Sequence, residues 1–148
     1  MGITFVELDN KGFEANDSFI EIWLLLLVDE INCVDNLPAW MREMREEWLL
    51  QATEAFDSGV DADLDRFAKD PERRAAIIVL AIKALTRLRA FGPILSKNTL
   101  NDIYRHGKCG LFQSDLPATR FIRVGENFIR LLQGTLPPEE YAQYRGQD

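Results

Sequence analysis

A chain of 148 residues with 47% hydrophobic and 28% charged side chains is long enough to bury one core and too apolar to stay unfolded. Its net charge of −7 and pI near 4.8 exclude the basic footprint on which nucleic-acid binding rests. The charge is also uneven: residues 1–70 carry 17 acids against 5 bases, a balance of −12, and residues 71–148 carry 7 acids against 12 bases, a balance of +5. Such a split marks either a surface for a partner or an attraction between two halves of one fold.

The first ten residues contain no basic segment followed by an apolar stretch, and Val6 stands where a myristoylation signal needs Ser or Thr. Cys33 and Cys109 are too few for a disulfide framework. Together these features give the expectation of a cytoplasmic chain with reduced thiols. Ile3–Leu8 is β-prone, and Asp9–Gly12 is turn material. Residues 1–16 therefore read as a small hairpin or an extended arm, which must lie on helices because a hairpin alone is marginal.

Ser18–Val34 is the expected central helix. Ile22–Val28 is unbroken apolar sequence, and a helix apolar nearly all round is a buried one. The run is far shorter than the roughly 20 residues that span a bilayer. Ser18, Glu21, Asp29 and Asn32 share a narrow polar strip, with Leu25 among them as the place for the N-terminal arm to dock. Ser18 and Glu21 also have the spacing of a capping box.

A second helix should run from Pro38 to Phe56, with Met41, Met44, Trp48, Ala52, Ala55 and Phe56 on its apolar face. Val60–Lys69 is an acidic connector with one helical turn at Leu64–Ala68. Asp70-Pro71-Glu72 is a strong start signal for a third helix to Phe91, apolar through Ile77, Ile78, Ala81, Leu85 and Leu88 and stopped by Gly92-Pro93. Asn98–His106 forms a short fourth helix. Pro117–Leu132 forms a fifth, with Phe121, Val124, Phe128, Ile129 and Leu132 inward, Gly125 giving another helix room to approach, and Gly134 as its stop. The expected fold class is all-α: a single domain over residues 1–148, a bundle of about five helices with the first and third innermost. It leaves room for a short β element at the N-terminus and ends in a polar tail over 135–148.

Asp61, Asp63, Asp65 and Glu72 have the spacing of calcium ligands in an EF-hand loop. Arg66 stands where the turn needs Gly, however, Lys69 adds an opposing charge, and Pro71 disturbs the exiting helix. The segment reads as a solvated connector with Asp70 as helix cap. His106 and Cys109 are too few for a structural zinc site, and no nucleophile motif or phosphate loop is present. The sequence points to no metal and no cofactor. Arg120, Arg123 and Arg130 read as a solvent face shared with Glu126 and Asn127.

Two functional readings follow. The first is a non-enzymatic protein-binding module that engages a basic protein partner through Glu43, Glu46, Glu47, Glu54, Asp57, Asp61, Asp63 and Asp65, by steering it to one side of the molecule. An immunity- or antitoxin-like inhibitor that masks a toxin suits the small size, single domain and acidic balance. The second is a small-ligand binder or enzyme with a pocket between core helices near Trp23, Glu30, Tyr104 and His106. Glu30 falls among apolar neighbours on the helical wheel, where an acid needs a cation or hydrogen bonds; an arginine from the cationic second half is the expected partner. Neither nucleic acid nor membrane is an expected partner, and the sequence names no oligomeric state.

Overall fold

The computed structural model describes residues 2–54, 59–104 and 112–137. Expectations that fall on Ala55, Phe56, Asp57, His106, Cys109 and the polar tail beyond 137 lie outside the described residues.

The chain opens with a hairpin. Strands β1 (Ile3–Leu8) and β2 (Lys11–Asn16) pair antiparallel, with Leu8 opposite Lys11 and Ile3 opposite Asn16. Asp9 and Asn10 make the two-residue turn with φ of 54° and 65°. A type I′ turn requires that left-handed backbone, and Asp and Asn tolerate it. Side chains alternate along β1: Thr4, Val6 and Leu8 are buried, while Ile3 and Glu7 are exposed.

Helix α1 (Asp17–Ile31) is buried at every position from Ile20 to Val28. The polar strip of the helical wheel does not face solvent at its start, since Ser18, Glu21 and Leu25 are all buried. The capping box does not form. Asn16 is the N-cap and makes no side-chain capping bond, and Glu21 instead turns inward to accept a hydrogen bond from the Tyr104 hydroxyl.

Helix α2 (Ala39–Thr53) begins after Pro38, which serves as its N-cap, and buries Met41, Met44, Trp48 and Ala52. One turn, α3 (Leu64–Phe67), precedes α4 (Pro71–Ala90). Asp70 caps α4 by accepting from the Arg73 backbone N–H at 2.8 Å, and Pro71 opens it. Ile77, Ala81, Leu85 and Leu88 are buried, whereas Ile78 is only half-buried against the core. The short strand β3 (Ile94–Leu95), helix α5 (Lys97–Tyr104), strand β4 (Leu116–Pro117) and helix α6 (Ala118–Gln133) complete the described chain. Gly134, with φ of 74°, closes α6 in the left-handed conformation that glycine adopts without strain.

The architecture is therefore not all-α. Of the described residues 62% are helical, in six helices, and two small two-stranded antiparallel sheets make the fold mixed α/β, though mostly helical. The correction has two causes. The N-terminal hairpin is part of the core, because it buries Val6, Leu8 and Phe13 and packs on both α1 and α6. The second sheet joins Ile94 to Pro117 and Leu95 to Leu116, a pairing too short to leave any periodicity in the sequence.

The centre of the core is α1, which touches α2, α4, α5 and α6. Phe128 of α6 lies edge-on to two indoles, 5.7 Å from Trp23 and 6.2 Å from Trp48 between ring centroids. Gly125 lets α6 approach this closely: a Cβ there would sit 2.8 Å from Trp23 Cζ3 and 3.0 Å from Leu85 Cδ1. Part of the charge asymmetry is settled inside the fold. Arg74 pairs with Asp9 at 2.9 Å, and Arg87 reaches both Asp29 at 3.1 Å and Glu30 at 3.3 Å. No helix of the described residues is long and apolar enough to cross a membrane.

Candidate functional site

The acidic connector alternates between buried and more exposed positions. Val60, Ala62 and Leu64 are buried, and Asp61 and Asp65 between them are exposed, with Asp63 half-buried. The alternation does not come from a strand: Asp63 takes the left-handed conformation, with φ of 51°, and Leu64 and Asp65 already belong to α3.

Four hydrogen bonds fix the segment in place. The Val60 N–H donates to Thr4 Oγ1 at 3.2 Å, and the Asp61 N–H to Gln51 Oε1 at 2.9 Å. The Ala62 carbonyl accepts from Trp48 Nε1 at 2.7 Å, and Asp65 Oδ1 accepts from the Asp9 N–H at 3.1 Å. The connector is thus held to β1 and its turn on one side and to α2 on the other.

Between β1 and residues 60–65 lies a cavity of about 500 Å³. Ile3 and Phe5 give it apolar surface above the buried Val6, Val60, Ala62 and Leu64, and the charged residues on its walls are Glu7, Asp61, Asp63 and Asp65, all carboxylates. Apolar side chains beside an acidic wall suit a long cationic side chain, whose methylenes pack on Ile3 and Phe5 while its charged head meets the carboxylates. The sequence reading missed Glu7. Its signal was the alternation of Ile3, Phe5 and Glu7 on the outer side of a strand, which sets Glu7 opposite the connector's aspartates.

The remaining acids divide into three groups. Arg66 draws Glu43 and Asp63 together, at 3.1 Å and 3.5 Å, while Gln51 links Glu47, which accepts from its Nε2 at 3.0 Å, to the Asp61 backbone. Glu46 is exposed on α2, and Glu54 is exposed at its C-cap. Asp57 lies outside the described residues. The calcium-like spacing does not form a loop around a centre, because Asp63 is committed to Arg66 and Asp65 accepts from the Asp9 N–H. Among the described residues no group of three or more His, Cys, Asp or Glu side chains is arranged to hold a metal ion.

The residues of the second reading do not converge. Trp23 is buried against α6, and Glu30, two turns further along α1, pairs with Arg87. The Tyr104 hydroxyl reaches Glu21, which lies on the opposite side of α1 from Trp23, about 200° away at helical spacing. His106 is outside the described residues. On α6, Arg120, Arg123 and Arg130 are exposed, but Asn127 is buried and Glu126 pairs with Arg89 at 2.7 Å. Compared with protein-family models, curated proteins and solved structures, the chain matches none of them.

Proposed function

We propose that this chain is a protein-binding module that takes a lysine- or arginine-bearing segment of a basic partner into the cleft between β1 and residues 60–65. One observation supports the reading above the others: a cavity of about 500 Å³ whose charged wall residues are four carboxylates, set beside Ile3 and Phe5. Concentrated negative charge steers a basic partner during encounter, and Ile3 and Phe5 add affinity once water is displaced from them. Glu47 and Glu43, adjoining the cleft through Gln51 and Arg66, extend the same field along α2. An inhibitor that masks a toxin is the narrower form of this proposal, in which the partner is a basic toxin encoded beside this chain.

The test is association of the full chain with a basic protein recovered from its host. The association rate should fall as salt rises, and it should fall again in a Glu7→Lys, Asp61→Lys double variant. Reversal of Arg123 and Arg130 to Glu is the control. A control that weakens binding more than the acidic reversals do places the partner on another face and overturns the reading. A rate indifferent to both salt and the acidic reversals overturns it equally.

A further inference from the structure

A second cavity, of about 340 Å³, lies between β2 and α6, on residues that the acidic cleft does not use. Its walls combine three kinds of group. Phe19 and Ala15 supply apolar surface over the buried Phe13 and Val124, Arg120 and Arg123 supply positive charge, and Asn127 supplies an amide. On α6 these residues fall at positions 120, 123, 124 and 127, which is one helix face.

Asn127 is the unexplained member. It is 1% exposed, and its Nδ2 has no hydrogen-bond partner among the described residues. Its Oδ1 accepts from Arg130 Nη1 at 3.5 Å, which fixes the amide so that the NH₂ is the end left over. Buried side-chain donors are nearly always paired, and an unpaired one disfavours the fold by about 1–3 kcal/mol. A donor held in this state in the wall of a cavity is a feature of binding sites.

We propose that this cavity binds a small organic acid with one carboxylate, an apolar body and an oxygen acceptor at its far end. The carboxylate meets the guanidinium groups of Arg120 and Arg123, whose planar donors match it. Arg120 forms no ion pair among the described residues, so it is available for that contact. The body lies on Phe19 and Ala15. The acceptor takes the Nδ2 proton of Asn127, two helical turns from Arg120, or about 10 Å along the axis. Glu14 on the β2 wall opposes a second negative charge and selects a monoacid.

Calorimetric titration of the full chain with three probes tests this. 3-(4-Hydroxyphenyl)propanoate carries both features, 3-phenylpropanoate lacks the acceptor oxygen, and 3-(4-hydroxyphenyl)propanamide lacks the charge. The hydroxy acid should bind at least tenfold more tightly than either of the others. Asn127→Leu should abolish the preference for the hydroxyl and keep the preference for the acid, and Arg120→Gln should do the reverse. Asp61→Lys should leave all three affinities unchanged, which separates this site from the acidic cleft. Equal affinity for the three probes, or no binding of the hydroxy acid at millimolar concentration, overturns the proposal. That comparison is made on the unaltered chain and holds even where a variant fails to fold.

Discussion

Trp48 donates its indole N–H to the carbonyl oxygen of Ala62 at 2.7 Å, and both residues are buried. The bond fastens the floor of the acidic cleft to the second helix. Trp48→Phe keeps most of the apolar volume and leaves the Ala62 carbonyl unpaired. The expected loss is about 1–3 kcal/mol in urea unfolding. Amide exchange should quicken at residues 60–65 more than in α1, because the tie is local to the connector.

Tyr104 and Glu21 are 83 residues apart in sequence and are joined by one buried hydrogen bond. Tyr104→Phe removes the donor without changing the ring that packs on Phe112. Leaving a buried acceptor without its donor costs about 1–3 kcal/mol, so thermal and urea unfolding should register a loss of that size. A loss below about 0.5 kcal/mol would show that Glu21 does not depend on this donor.

Gly125→Ala should destabilise the protein even though alanine is the better helix former by about 1 kcal/mol. The added methyl would meet Trp23 Cζ3 at 2.8 Å and Cη2 at 2.9 Å, and overpacking of this kind costs about 1–3 kcal/mol. Trp23→Phe removes the six-membered ring of the indole that carries those two atoms. A double-mutant cycle should therefore show the Gly125→Ala penalty shrinking in the Trp23→Phe background.

Millimolar calcium should leave the melting temperature unchanged. A ligand that binds the native state raises it, but Asp63 is engaged by Arg66 and Asp65 by the Asp9 N–H. A rise of several degrees, abolished by Asp61→Ala, would contradict this.

Most helices were legible because their ends carry local signals. Asp70-Pro71 starts α4 and Gly134 stops α6, and each works through backbone chemistry within a few residues. The hairpin was half legible: Asp9-Asn10 marked a turn, but nothing local says that Phe13 is fully buried. What escaped depends on distant partners. Glu21 has the spacing of a capping residue, and only Tyr104, far along the chain, turns it inward. Asn127 sits among arginines on the wheel and reads as a solvated residue, yet the hairpin packs on its helix and it is buried. The cleft was legible in part. Burial alternates from Val60 to Asp65 inside a segment whose acidity reads as charge alone, and nothing local marks the left-handed turn at Asp63 that leads into α3.

The position of α1 has a consequence for biosynthesis. The helix that every major packing partner surrounds is made near the start of the chain, while α4 begins at Pro71 and α6 at Ala118. At roughly 5–20 residues per second, α6 follows the apolar run Ile22–Val28 by about 5–20 s. Until α4 and α5 join them, the hairpin and α2 are the described elements available to cover this water-averse segment, and the face that meets α6 stays open to the end of the interval. A ribosome that stalls before Ala118 leaves a product that cannot close its core and is prone to aggregate. The last described helix to be made is the one whose arrival commits the molecule to its native state.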